Sequence, residues 1–524
     1  MLKGLSKEDR IFIPALLIAF TVYTINLGVM PLLADEPTRA IVSLEMVLSG
    51  NYIVPTIASE TYLNKPPLFN WIVAFFMNTS ENFSEWDLRI ISLSGFFAIA
   101  ILHYIIASKY VSKQNALWSS LAFLTCGRII FYDSMMGYID PIFSLLVLLN
   151  FYWILIQSNK PSNAKTFLIS YFLCFIAFFL KGLPACTFQL FTLAAVFIYR
   201  NKFRSLFSLA HLCGISLFIL CLAVYYYEYG EYANIQPLLN AVIDQSTQRT
   251  PLSVKIEETF SHVIQFPFQF LIDFMPYSLL VFLCFRKGML SVLKENDFVF
   301  TALIIVAANI WLYWFSAETR ARYLFMFLPL FFTIVFYAYE KFSSDFLEKG
   351  IRIIVFVILF ALIIILSVMP FLRRFNFIGD ITVISGASII VCGIISYFLF
   401  QRKISALTGV VFMLLLLRLD FNLLILPLRK RESPESIYKL TGKNIALQTK
   451  GKQLYLLQGA PINHDILYYA TKDRKAIIST VKRPIQQKNA YYICTKKQMR
   501  IFSLNSVEAF DVSYQGMKLF LAKK

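Results

Sequence analysis

The sequence is short of charge. Only 15% of its 524 residues are Asp, Glu, Lys or Arg, against 58% hydrophobic and 16% aromatic residues. A soluble globular chain carries roughly a quarter charged residues, so a soluble enzyme is excluded, and so much apolar content excludes disorder. Barrel strands are also missing: a stretch such as IIVFVILFALIIILSVM is apolar over a whole helical span instead of alternating. Cysteine spacing offers neither a disulfide framework nor a zinc site. Cys126, Cys174, Cys186, Cys213, Cys221, Cys284 and Cys392 lie inside apolar segments, and Cys494 alone falls outside them. A glycine-rich phosphate-cradling fingerprint is absent as well. These exclusions leave an all-α polytopic membrane protein.

Hydropathy segments the chain into about thirteen spans of the length a bilayer requires. They fall at 11–33, 89–108, 115–132, 141–157, 165–180, 183–199, 205–227, 270–285, 298–316, 322–339, 351–370, 380–400 and 405–427. The amino terminus lacks a small-residue cleavage site and is expected to be retained as the first span. Lys109 and Lys113, Lys160 and Lys165, Arg200, Lys202 and Arg204, Arg286, Lys287 and Lys294, Lys341 and Lys349, and Arg402 and Lys403 then share one side, which the positive-inside rule makes the cytoplasm.

The opposite side receives two long loops, 34–88 and 228–269, rich in Asp and Glu (Glu81 and Asp244 among them). The functional surface is expected there. Arg320, Arg322, Arg373 and Arg374 break the charge rule on that side, and an anionic ligand would explain them. Within the last span Arg418 and Asp420 read as a helix-end pair reaching the headgroups. The domain reading is a transmembrane catalytic domain over 1–428 and a small soluble α/β domain over 429–524. That tail holds 19 Lys plus Arg against 6 Asp plus Glu, or 13 of the net +18 charges. An odd span count places it outside.

Several short motifs gather chemistry on the outer side. LLADEPTRA puts Asp35 and Glu36 at the membrane surface, as a base or simply as acids complementing a helix dipole. YLNKPPLFNW holds Lys65, after Asn64, on a proline-fixed backbone. RIIFYDSMMGYIDP brings Asp133 and Asp140 to the same side, Asp140 doubling as an N-cap candidate before Pro141. FFLKGLPAC presents Lys181 at a tight turn, a snorkelling lysine being the plain alternative. WFSAETRARYLFMFLP carries Arg320, Arg322 and Tyr323, and arginine forks suit phosphate. Carboxylates to take a proton and cations to hold a departing phosphate are what transfer from a lipid-linked phosphate needs. Nucleotide sugars are absent outside the cytoplasm, so no nucleotide cofactor is expected and the donor would be polyprenyl-linked.

The stretch DEPTRAIVSLEMVLSGNYIVPTIASETYLNKPPLFNW resembles the first periplasmic loop of the bacterial aminoarabinose transferases, which modify lipid A, and of the wider protein-mannosyltransferase-like superfamily with the GT-C fold. Asp140, the Lys181–Gly182 turn, FPFQFLIDFMPYS and SAETRARYLFMFLP follow in the family's order, so the resemblance covers residues 1 to about 340. It implies a GT-C fold, Asp35 as catalytic acid with Glu36 beside it, Asp140 as a second acidic site residue, Lys65 facing the lipid phosphate, and Arg320, Arg322 and Tyr323 helping to hold it. His262 lies near a site histidine of relatives. Those relatives often place a glutamate before KPP where this chain has Asn64, which leaves the use of a divalent cation open.

The expected activity is inverting transfer of a sugar from a polyprenyl-phosphate donor to a lipid A-type acceptor, at the periplasmic face of a bacterial inner membrane. A protein or cell-surface glycan acceptor is the alternative. A lipid-linked sugar flippase is a more distant rival, since it would need ionisable groups deep in the spans and paired repeats.

Overall fold

The computed structural model describes residues 6–80, 83–161, 163–241, 256–485, 489–512 and 517–524. Glu81, Asp244 and positions 242–255 of the second outer loop lie outside them. Among the described residues eight helices are long and apolar enough to cross a membrane: Glu85–Ala107, Asp140–Ser158, Ala164–Lys181, Leu209–Tyr232, Asp297–Trp314, Asp345–Phe371, Ile381–Phe400 and Ala406–Glu432. Other expected spans are shorter helices, Asp9–Thr24, Lys113–Thr125 with Gly127–Phe131, Pro184–Tyr199 and Leu328–Phe342. The segment at 270–285 is not one α-helix. Helix Ile256–Asp273 ends ahead of Pro276, and Tyr277–Phe285 continues as a tight 3-10 turn, because a proline supplies no N–H to the helical ladder. The chain is a multi-pass membrane protein with a small C-terminal α/β part.

The fold divides into two compact units. The first comprises residues 1–27, 92–224 and 242–427. Two kinds of helix start recur in it. Ser112, Asn163, Asn296, Ser344 and Ser405 cap helix starts with side-chain oxygens, and all five lie beside the basic connections. The starts at Asp140, Pro184 and Leu328, on the other side, have proline in the first turn and no side-chain cap. Buried polar links tie the spans together. Asn150 donates to Gln189 at 2.5 Å, Ser170 to Asn150 at 2.8 Å, and His103 bonds Ser119 at 2.7 Å and Tyr152. Arg418 is no headgroup anchor. It is fully buried, lies over the Tyr23 ring and donates to the Ile130 carbonyl, while Asp420 accepts from Ser388 at 2.5 Å.

The second unit joins residues 28–91 and 225–241 to 428–524. Its sheet has the order β4-β3-β5-β7-β6, with β3 Leu454–Leu457, β4 Ser479–Val481, β5 Tyr491–Thr495, β6 Asn505–Asp511 and β7 Lys518–Lys523. β3 pairs in parallel with β4 and β5, and helix His464–Arg474 makes the crossover from β3 to β4. The first outer loop packs on this domain. Its helix Glu36–Ser49 is followed by a hairpin of β1 Thr56–Ile57 and β2 Glu60–Thr61, turned by Ala58 and Ser59 at positive φ. Buried Glu45 holds that turn, accepting from Thr56 at 2.7 Å and the Ala58 amide at 2.6 Å. The turn reaches the sheet edge, where Thr480 N donates to the Ala58 carbonyl at 2.8 Å and Ser59 meets Ser479 at 2.8 Å. A loop and a tail so bonded lie on the same side of the membrane.

Candidate active site

In the membrane unit three helix ends bring the charges together. Asp140 opens helix Asp140–Ser158, and Lys181 closes helix Ala164–Lys181, which Gly182 ends at φ +81°. Arg322 sits in the 3-10 turn Ala321–Leu324. Lys181 Nζ donates to Asp140 Oδ1 at 2.5 Å, and Arg322 Nε lies 3.5 Å from Oδ2. All three side chains are buried. Aromatic faces replace the water they have lost: Tyr323 under Lys181 at 3.9 Å, and Tyr138 under Arg322 at 4.2 Å.

Asp133 and Arg128 extend this cluster. Arg128 Nε donates to Asp133 Oδ2 at 2.9 Å, while Asp133 Oδ1 is buried with no hydrogen-bond partner among the described residues. Burial, with a smaller push from Asp140, drives the Asp133 carboxyl up to about 7 against the pull of Arg128 and Arg322. Three cations, Arg128, Lys181 and Arg322, thus face two carboxylates, Asp133 and Asp140. The surplus is positive, at a side of the unit where the starts at Asp140, Pro184 and Leu328 have no side-chain cap. Such a place attracts a phosphate.

In the second unit Asp35 and Glu36 part company. Glu36 is fully buried and takes a bidentate pair from Arg89, Nε and Nη2 both at 2.8 Å, and accepts the Leu33 amide at 2.7 Å. Arg89 completes its fork on the carbonyls of Met30 and Pro31. Asp35 precedes the helix in N-cap position but makes no cap bond, and its side chain is exposed. It faces Tyr62, whose hydroxyl accepts from Arg39 Nη2 at 2.5 Å. The other Arg39 nitrogen, Nη1, is buried with no hydrogen-bond partner among the described residues. Thr38 bonds His464 Nδ1 at 2.8 Å, so the C-terminal domain delivers a histidine to the acidic loop. Lys65 is half-buried and Asn64 exposed.

The structure therefore gathers Asp140, Lys181, Arg322 and Tyr323. It leaves others apart: Arg320 is exposed one residue before the turn, as are Arg373 and Arg374 in theirs. His262 stands on a helix, not in a loop, and contacts the Tyr313 carbonyl at 3.2 Å. Arg128, Tyr138, Arg39, Tyr62 and His464 were not anticipated as site groups. Among the described residues no group of three or more His, Cys, Asp or Glu is placed to hold a metal ion.

Residues 64–227 match the family model of dolichyl-phosphate-mannose-protein mannosyltransferases. The crystal structure of ArnT from Cupriavidus metallidurans bound to undecaprenyl phosphate superposes with a TM-score of 0.69 at 15% identity, over 99% of this chain and 98% of that one. The chain has the ArnT fold, of GT-C type. In sequence it resembles the same transferases. It is 28% identical over 180 residues to undecaprenyl phosphate-alpha-4-amino-4-deoxy-L-arabinose arabinosyl transferase 2 of Proteus mirabilis, covering 32% of this chain and 31% of that protein. It is 26% identical over 223 residues to the corresponding transferase of Pseudomonas savastanoi pv. phaseolicola, covering 41% and 40%. The chain spans about a third of the length of the curated relatives it matches.

Proposed function

We propose that this chain is an inverting membrane glycosyltransferase that takes a sugar from a polyprenyl-phosphate donor at the periplasmic face of a bacterial inner membrane. The observation that carries the reading is the buried cluster of Asp140, Lys181 and Arg322 with its surplus of positive charge. A solved protein with this fold, ArnT of Cupriavidus metallidurans, binds undecaprenyl phosphate, a ligand of complementary charge.

The acceptor oxygen attacks the anomeric carbon, the bond from that carbon to the phosphate oxygen breaks, and polyprenyl phosphate leaves with the electron pair. Asp35, exposed at the start of helix Glu36–Ser49, receives the acceptor's proton, or orients the acceptor when that is itself an ionised phosphate. Arg322 and Lys181 stabilise the charge that develops on the leaving phosphate, a role that the sequence resemblance also gives to Lys65. Tyr323 keeps Lys181 in place. The bidentate Arg89 contact suits Glu36 to fixing the loop instead of moving protons. The acceptor is a lipid A-type molecule, or alternatively a protein or a cell-surface glycan.

Membranes containing the chain, given a labelled polyprenyl-phosphate sugar, should release polyprenyl phosphate and label an acceptor. Asp35→Asn at normal expression should not; retained transfer would remove the base from the proposal. Mass spectrometry of lipid A and of glycoproteins, with and without the gene, separates a lipid acceptor from a protein one.

A further inference from the structure

Helix Pro434–Gln448 begins one residue after helix Leu426–Glu432, which continues the last span. One side of it is core. Gly442, Ile445 and Ala446 are buried, and a Cβ on Gly442 would stand 2.8 Å from the Ile466 carbonyl. The other side carries Ile437, Leu440 and Leu447, which are 61%, 61% and 72% exposed. Their spacing draws a single apolar stripe along the helix. Three large aliphatics in line on a domain this basic are a surface awaiting an apolar partner.

Two anchors set the level of the stripe. Lys439, beside Leu440, pairs with Glu85, the first residue of the span Glu85–Ala107, so this point of the helix stands at a span's mouth. Arg429, Lys430 and Arg431 close the helix that leaves the membrane immediately before it. Lys430, Lys443 and Lys450 are exposed around the stripe. We infer that Pro434–Gln448 lies along the bilayer surface, with Ile437, Leu440 and Leu447 in the boundary between headgroups and acyl chains and the lysines on the phosphates of anionic lipids. Apolar burial and charge attraction of this kind add up in surface helices. The first outer loop, bonded to the same domain, is thereby held at a fixed height above the lipid.

The test uses the full chain in vesicles of phosphatidylglycerol and phosphatidylcholine. Leu440→Cys, and separately Leu447→Cys, carry an environment-sensitive fluorophore in a background where Cys186, Cys213, Cys221 and Cys284 are serine. Blue-shifted emission and quenching by lipids bearing a nitroxide near the headgroup are expected, both stronger as the phosphatidylglycerol fraction rises. Water-like emission quenched by iodide overturns the inference. So does a disulfide-linked dimer through residue 440, which would assign the stripe to a second copy. Because the stripe is outside the core, Ile437→Ser/Leu440→Ser/Leu447→Ser should melt like the parent in detergent. A fluorophore at Lys443→Cys should lose its nitroxide quenching when that triple change is added, and unchanged quenching also overturns the inference.

Discussion

Glu36 and Asp140 are both buried carboxylates that open a helix one residue before a proline, yet their surroundings differ in kind. Glu36 meets one arginine fork, and Arg89 spends its remaining donors on two backbone carbonyls. Charges balance and the geometry is closed. Asp140 meets two cations, each also resting on an aromatic face, with a second arginine–aspartate pair alongside. A balanced buried pair holds a fold together, whereas one with excess positive charge is incomplete until an anion arrives.

Breaking the closed pair should have the largest effect. Removing one partner leaves a buried charge uncompensated, at a cost of about 3–5 kcal/mol, while replacing both with apolar groups is often near neutral. Arg89→Met alone is therefore expected to collapse the folded yield in detergent, and Glu36→Leu/Arg89→Met to recover most of it. If the double variant is as damaged as the single one, the pair is not self-contained and Glu36 regains a claim on chemistry.

At the open cluster the loss should appear in transfer and not in folding. Removing a donor that stabilises developing charge costs about 10²–10³ in rate, so Arg322→Ala should lower sugar transfer by that factor. Arg322→Lys should keep more of it. Exposed Arg320 should lose far less on replacement with alanine. Equal losses at the two arginines would place the phosphate in the outer segment instead of against Asp140.

A smaller effect follows pH. The Asp133 carboxyl is pushed up to about 7 from an ordinary 3.8, so the folded chain holds this proton more tightly than the unfolded one. Its contribution to stability is complete below the ordinary value and is lost as the pH rises through 7. Protonation also leaves Arg128, Arg322 and Lys181 opposed by Asp140 alone. Affinity for a phosphate-headed lipid should accordingly rise by up to about tenfold from pH 8 to pH 6, beyond the change due to the phosphate itself. Asp133→Asn should remove this excess. An unchanged profile in that variant would detach Asp133 from the site.

How much of this was legible in the sequence differed between spans and site. Long apolar runs announce helices wherever the backbone can continue them, and the reading failed at 270–285, where Pro276 interrupts the helical ladder. The nearness of Asp140, Lys181, Arg322 and Tyr323 was legible because each stands at the end of an apolar run on the same side, although capping and snorkelling were equally open readings of the charges. Glu36 stands beside Asp35 in sequence, but the structure pairs it with Arg89. Its partner stands 53 residues on, and the one visible signal was an arginine inside an apolar helix, which demands a carboxylate. Arg128 and Asp133 were in plain view in RIIFYDSMMGYIDP, but their contact depends on the break between helix Gly127–Phe131 and the turn at Asp133, which no periodicity reveals. For His464 there was no signal, because it reaches Thr38 across 426 residues.

The two kinds of helix start in the membrane unit offer the finest version of the comparison. Ser405 caps its helix beside the basic connections, and Ser405→Ala should cost about 1 kcal/mol of stability with transfer intact. Leu183 occupies the equivalent place before Pro184, uncapped and exposed, in a loop entered directly from Lys181. Leu183→Asp adds a negative charge at the positive end of that helix, without a side-chain cap, because Leu183 is already helical (φ −53°, ψ −31°) where Ser405 is extended. It should stabilise the helix by a smaller amount and weaken binding of a phosphate-headed lipid, since the new carboxylate opposes the anion in the field of the same helix end. A stabilised variant with unaltered lipid affinity would mean that the uncapped starts contribute nothing to the phosphate and that the buried cations act alone.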